Sequence, residues 1–373
     1  MAWIDRGKAP YFYGRQKERD QVNDLLKASI RQQLGTSFLM EGSPGIGKTA
    51  LLEQIQQDSE ANDWSVVWIP TRSLYDLASL RHQLGLERWY QPETFKVGVK
   101  LQGLTIGTEL DLTFRSFEKT LNQLNKPMLL IMDEAQRLGH PSIQAEQQRL
   151  LIDVLDAFHN AQVQHGFIFL IAGLGTTSEI LKNLGISRFA NHSAVTLEAL
   201  EPHYEEQILR DFLTIEGSVD PKHPYLQKWI DACQQHTQGY PKHIVTYGSI
   251  AAEYIQQNKV LNDTGLKKVL TLGNESRFEY YRKRIKGLRT SEADLVVSFF
   301  KQHSKKNLFT DQEVIAFFEQ TLNYEKADQL FEKAWQRGIF HQVDEHGYRV
   351  SVPSMKDWFC HHYGKNPNIG PGY

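Results

Sequence analysis

Gly42-Ser43-Pro44-Gly45-Ile46-Gly47-Lys48-Thr49 decides how this chain is read. It fits G-x-x-x-x-G-K-S/T, the loop that cradles nucleotide phosphates. The glycines let backbone N–H groups approach phosphates without a Cβ in the way. Lys48 is spaced to reach β- and γ-phosphates, and Thr49 to place a hydroxyl on Mg²⁺. Thr36 to Glu41 reads as a buried strand before the loop, and Ala50 to Ile55 continues as a helix after it. That order aims a helix N-terminus at an anion. A chance glycine-rich turn would lack this context. The expected ligands are therefore ATP and Mg²⁺, held along Gly42 to Ala50.

A second motif agrees with the first. Met128 to Met132 is an uninterrupted apolar run that ends in Asp133-Glu134. Such a run suits a strand covered on both faces of a parallel sheet, and acids at its C-terminal end sit where α/β sheets bind ligands. Asp133 is expected to hold Mg²⁺ through water, and Glu134 to polarise the attacking water as general base. Two solvated acids opening a helix would be the plain alternative.

Composition narrows the class. With 373 residues the chain is long enough for two or three domains. It is 40% hydrophobic and 23% charged, the balance of an ordinary globular protein. A net charge of −2 gives no general affinity for nucleic acid or an anionic membrane surface, so local patches must carry any such argument. Cys233 and Cys360 are far apart and neither forms a C-x-x-C pair, which argues against a zinc site or a disulfide framework and for a reducing, cytoplasmic setting. No signal-peptide core opens the chain, and no stretch approaches the ~20 apolar residues of a membrane helix, so no membrane partner is expected.

Along the chain, strands are expected at 37–41, 65–70, 128–132, 167–172 and 194–197, with helical segments between most of them. The alternation predicts an α/β fold, a parallel sheet flanked by helices, over residues 1–200. Within it, residues 95–114 alternate with period two around Gln102-Gly103 and predict an inserted β-hairpin, either a contact arm carrying Lys96 and Lys100 or a structural cover. Residues 201–276 read as a helical lid and 277–289 as a basic connector. Residues 290–373 read as three helices and a two-stranded turn at 344–347, the winged-helix arrangement.

The whole chain resembles the AAA+ ATPases of the origin-recognition-like branch, close to bacterial relatives of the signal-transducing (STAND) NTPases. The resemblance rests on Tyr13-Gly14-Arg15-Gln16-Lys17-Glu18, similar to a G-R-x-x-E box near the adenine, on the two motifs above, and on Gly239-Tyr240-Pro241-Lys242, similar to the lid's G-x-P. It implies further roles. Arg15 would contact the nucleotide or serve as an ion-pair residue. Arg188 would be an arginine finger acting in trans, or a surface arginine at a helix end. Lys242 would occupy the lid's sensor position, where relatives often have arginine with its bidentate fork. Thr176 or Thr177 would supply a polar sensor or cap the following helix. Assembly into a homo-oligomer with ATP bound is implied too.

Three functions fit these residues. The first is a Mg²⁺-dependent ATPase that works as an assembly or signalling switch on a protein partner, with defence against phage or mobile elements as one setting. The alternative is a DNA-associated ATPase of the replication-initiator or transposition-regulator kind, touching duplex DNA through 277–289, where bases interleave with Tyr280 and Tyr281. Balanced charge on the helix 324–337 and an acidic turn at 344–346 argue against strong DNA binding by the last unit. The third is a nucleotide-gated module without turnover, which Glu134 argues against.

Overall fold

The computed structural model describes residues 11–75, 77–84, 115, 117–119, 121–123, 125–139, 144–185, 194–343 and 347–364. The expected hairpin at 95–114 and the turn at 344–346 lie outside these residues. The described chain divides into two compact units: residues 15–41 with 51–196, and residues up to 14 with 42–50 and those from 197 onward.

The first unit is built on a five-stranded parallel sheet. Its strands are β1 (Thr36–Glu41), β2 (Ser65–Trp68), β3 (Met128–Met132), β4 (Phe167–Gly173) and β5 (Ala194–Thr196), in the spatial order β2-β3-β4-β1-β5. Every residue of β3 and β4 is buried. Their continuous apolar sequences are what two covered faces require. Parallel neighbours need crossovers, here α2 (Lys48–Ala61) and α3 (Leu77–Gln83), then α4 (Ala145–His159), then α5 (Thr177–Asn183), with α1 (Gln16–Gln32) preceding β1. The chain leaves β1, passes over β4 and β3 to the edge strand β2, and returns, while β5 lands on the other side of β1. The order therefore reverses beside β1, the place where such sheets bind ligands at their C-terminal ends. Phe117, Phe158, Phe167 and Phe169 pack edge to face beneath, with ring centroids 5.1 to 5.3 Å apart in the closest pairs.

The second unit is mostly helical. α6 (Pro202–Asp211) leads through a π turn into α7 (Leu226–Thr237), α8 (Pro241–Asn258) and α9 (Asp263–Ile285). α10 (Thr290–Gln302), α11 (Asp311–Glu319) and α12 (Tyr324–Gln336) follow. β6 (Phe340–Gln342) then pairs antiparallel with β7 (Tyr348–Val350), and α13 (Pro353–His361) closes the described chain. Local chemistry sets these helix starts. Pro202, Pro241 and Pro353 stand in the first turn, where a missing N–H costs nothing. Asn262, Thr310 and Asn323 cap α9, α11 and α12 through side-chain oxygens.

The basic connector expected at 277–289 is largely the last turns of α9. Arg277 and Arg284 are seven residues apart, so two helical turns put both on the inward face with Tyr281, and all three are buried. Arg277 donates to the His236 carbonyl at 2.5 Å and to Asn274 Oδ1 at 2.8 Å. Arg282 lies 3.6 Å from Glu279, which leaves Lys283, Lys286 and Arg289 as the exposed bases of the run.

Ser29, buried near the end of α1, ties that helix to the central strand. Its Oγ donates to the Leu34 carbonyl at 2.5 Å and accepts from the Phe167 N–H at 2.9 Å. Ser29→Ala leaves a buried N–H unsatisfied and should cost about 1–3 kcal/mol. Urea unfolding of the sheet unit checks this; an unchanged midpoint would show that the bond contributes nothing.

Candidate functional site

The loop Gly42–Lys48 has the backbone its sequence calls for. Gly45 and Gly47 sit at φ of 91° and 96°, the left-handed region where other residues are strained. Lys48 opens α2 and is buried, with Nζ donating to the carbonyls of Gly42 at 2.8 Å and Ser43 at 3.2 Å. Thr49 is exposed at the same helix end. Loop N–H groups, a lysine and a helix N-terminus together make an anion cradle.

What the sequence did not reveal is how firmly later residues hold this loop. The hydroxyls of Tyr240 and Tyr280 both donate to the Pro44 carbonyl, and Arg284 Nη2 donates to the same oxygen at 3.0 Å. Ser43 Oγ donates to the Ser351 carbonyl at 3.3 Å. The Lys242 N–H donates to the Gly45 carbonyl at 3.1 Å, and Lys242 Nζ lies 5.7 Å from the Tyr280 ring centre. Lys242, predicted as a sensor, therefore does stand at the loop. Tyr240 was visible only as a letter of the lid motif, and Tyr280 and Arg284 only as members of a basic run.

Several cations stand around the loop, one of them, Arg349, paired with Glu198 at 2.8 Å. His243 is held well below the usual histidine range by burial and by Arg277, Lys242 and Arg284. His341, buried in β6, is lowered to about 4 by burial, then by Arg349 and Lys48. Its Nε2 has no hydrogen-bond partner. It lines a cleft of about 400 Å³ with Ser43, Tyr240, Arg349, Ser351 and Lys356. His236 is lowered to about 4 by burial and by Arg277, against a small opposing effect of Asp357.

Asp133 and Glu134 lie in the sheet unit, just past β3. Asp133 Oδ1 accepts from the Glu134 N–H at 2.8 Å, and the Asp133 carbonyl accepts from Thr71 Oγ1 at 3.3 Å. Glu134 has φ of 60°, a conformation that is strained for a residue with a Cβ, and its carboxylate is exposed. Gln136 donates to Glu134 Oε2 at 2.7 Å and accepts from the Leu174 N–H at 3.1 Å. It thus fixes the carboxylate against the end of β4, a role its sequence position gave no sign of. Arg137 adds an ion pair at 3.7 Å.

The remaining candidates divide. Arg15 lies 3.4 Å from Glu18, an ion pair at α1's first turn. Thr176 stands at the N-cap of α5 with no capping bond from its side chain, and Thr177 Oγ1 is buried without a partner, so neither does the capping job expected of them. Arg188 lies outside the described residues.

Among the described residues no three His, Cys, Asp or Glu side chains cluster to hold a metal. The Thr49 hydroxyl and the Asp133 carboxylate are oxygen donors of the type Mg²⁺ takes, one or two from the protein with phosphates and water completing the shell. No helix among the described residues is long and apolar enough to cross a membrane.

Residues 11–164 match the family described as an AAA ATPase domain, which indicates ATP hydrolysis as the general chemistry. No curated protein matches the chain. In structure it is similar to the Walker-type ATPase PABY2304 of Pyrococcus abyssi. The TM-score is 0.61 and the identity 16%, over 93% of this chain and 96% of that one. It is also similar to the ORC2 protein of Aeropyrum pernix in ADPNP–ADP complexes, with TM-score 0.59 and 15% identity over 96% and 95% of the two chains. At these identities the likeness is one of fold. The α/β architecture, a parallel sheet flanked by helices, is that of AAA+ P-loop ATPases.

His236, His243 and His341 are kept neutral in the fold while an unfolded chain protonates near pH 6.5. Their contribution to stability is therefore full above about pH 6.5 and is lost as pH falls, for His236 and His341 between there and about 4. The melting temperature of the protein should drop across that window. His341→Gln should make the drop shallower by about one proton's worth of slope; an unaltered slope would show that His341 titrates normally.

Proposed function

We propose that this chain binds ATP in the loop Gly42 to Ala50, hydrolyses it, and uses the nucleotide to switch its interaction with a protein partner. The single observation that carries the switch is the convergence of Tyr240, Tyr280 and Arg284 on the Pro44 carbonyl. It makes the phosphate loop mechanically continuous with residues far downstream, so occupancy of the loop is felt there.

In this reading the loop N–H groups and Lys48 bind the phosphates, and Lys242 adds positive charge beside them. Thr49 directly, and Asp133 through water, would hold Mg²⁺, which supplies charge neutralisation between the phosphates when bound. Glu134 takes the proton of the attacking water, with Gln136 holding its carboxylate in place. Little covalent help is needed from the protein, because phosphoryl transfer depends chiefly on positioning and charge stabilisation. Residues 290–373 are proposed as a winged helix, and Arg188 as a finger acting in trans within an ATP-bound homo-oligomer of cytoplasmic setting. The output partner is a separate protein, of the kind found in signalling or defence against mobile elements. The competing DNA-associated reading now rests on Lys283, Lys286 and Arg289, since Arg277 and Arg284 are turned inward.

Lys48→Ala should abolish ATP binding, measured by calorimetry; unchanged affinity would remove the loop from the mechanism. Glu134→Gln should bind ATP and stop releasing phosphate. Undiminished phosphate release would mean another residue is the base. Arg188→Ala should lose ~10³–10⁵ in turnover and regain part of it when mixed with Glu134→Gln protein; no rescue would exclude a finger in trans. Mass photometry of Glu134→Gln protein should show assembly with ATP alone, whereas assembly that requires duplex DNA would replace the protein-partner reading with the DNA-associated one.

A further inference from the structure

Arg284 has an environment unusual for a charged side chain. It is 8% exposed, and its partners are all neutral. Nη2 donates to the Pro44 carbonyl at 3.0 Å and to the Tyr280 hydroxyl. Nη1 donates to the carbonyls of Arg337 at 3.0 Å and Gly338 at 3.2 Å. The guanidinium carbon lies 4.7 Å from the Tyr280 ring centre. Among the described residues no carboxylate pairs with it. A buried charge is best served by an ion of opposite sign, and a guanidinium fork by a carboxylate or phosphate.

The Pro44 carbonyl is crowded as well. A carbonyl oxygen offers two lone pairs, and three donors reach this one. One can leave and the oxygen remains satisfied. Arg284 is the donor of the three that bears charge, and so the one an anion attracts. Its other arm grips Arg337 and Gly338, the turn between α12 and β6. Gly338 has φ of 64°, and a Cβ there would stand 2.2 Å from Arg284 Nη1, so that turn is shaped around the guanidinium. Just past β7, the Ser351 carbonyl accepts from Ser43 Oγ of the loop.

We propose that Arg284 is a phosphate-responsive tie: its guanidinium moves from the Pro44 carbonyl to the terminal phosphate of a triphosphate held in the loop, and this exchange loosens the turn at Arg337 and Gly338, and with it Ser351, from the loop. The assignment rests on the ATP-binding reading above and adds to it the residue that reports the γ-phosphate. It explains how Lys242, a point charge without a fork, can stand at the lid position. Bidentate recognition comes from α9 instead. Because Arg284 touches the loop and the α12–β6 turn at once, the same movement senses and transmits. Diphosphate, which lacks the terminal group, leaves the tie in place.

The test uses full-length protein with Mg²⁺ and either ADP or the non-hydrolysable analogue ADPNP, in wild type, Arg284→Lys, Arg284→Met and Lys48→Ala. Affinity is read by calorimetry, and the tie by hydrogen–deuterium exchange over residues 337–351. ADPNP should speed exchange there in wild type, and ADP should not. Arg284→Lys keeps the charge but cannot span Pro44 and the turn, so exchange should be fast from the outset and insensitive to nucleotide. Both substitutions should weaken ADPNP binding by about ten- to a hundredfold, the worth of charge-assisted hydrogen bonds, and ADP binding by much less. Equal losses for ADP and ADPNP, wild-type affinities in both variants, or exchange at 337–351 that ignores ADPNP in wild type would each overturn the assignment. If Lys48→Ala alone loses nucleotide, the ATP site stands and Arg284 fails by itself; if wild type binds neither nucleotide, both readings fall together. Arg284→Lys preserves a buried cation, and its fold is verified by unchanged exchange in α7 and α8, so a loss in that variant does not come from unfolding.

Discussion

The carbonyl oxygen of Pro44 is the point on which the second unit turns. Three side chains from two helices meet there, Tyr240 at the start of α8 and Tyr280 and Arg284 one turn apart on α9. None of these contacts follows from hydrophobic burial, which is non-directional. They are directional bonds to one backbone atom of one loop. Their existence explains why residues 42–50 group with residues from 197 onward, although the chain enters the loop directly from β1.

Positive charge gathers at the same place. Burial chiefly keeps His243 neutral, with Arg277, Lys242 and Arg284 adding to it, and burial does the same for His341 with Arg349 and Lys48. Neutral histidines relieve a region that would otherwise carry more like charge than its solvation could support. An anion drawn into the loop relieves it further. The electrostatics thus favour a phosphate-bearing ligand by the same reasoning that the loop's backbone does, from independent atoms.

Much of the sheet was legible because its signals are local. Five strands stand within two residues of the expected bounds, since an apolar run such as Met128 to Met132 fits few other structures. Lys48, Thr49, Asp133 and Glu134 could be nominated as site residues for the same reason: each motif is contiguous. The clamp on Pro44 was not. Its partners lie 196, 236 and 240 residues away in sequence, and no periodicity links them. Arg277 and Arg284 read as two bases among six in a charged run. Only the phase of α9, with Tyr281 on the same inward face, separates them from Lys283 and Lys286 on the outside. Gln136 was missed because a glutamine two residues past an acid has no distinctive pattern; the end of β4 gives it meaning through the Leu174 N–H.

The pairing of a lysine at 242 with an arginine at 284 is best understood as a division of labour. Lys242 approaches the loop through its backbone N–H as well as its side chain, so it is fixed to Gly45 whatever its ammonium does. A fixed point charge raises affinity for any phosphate and discriminates poorly among them. Arg284 is held by three carbonyls and the Tyr280 hydroxyl, neutral partners that an anion can outbid in strength, and its planar fork favours one phosphate geometry. Affinity and discrimination are then carried by different helices, α8 and α9. Only the discriminating residue also grips the turn before β6. A single residue that did both would tie the downstream response to binding itself, and the chain could not respond differently to a diphosphate and a triphosphate.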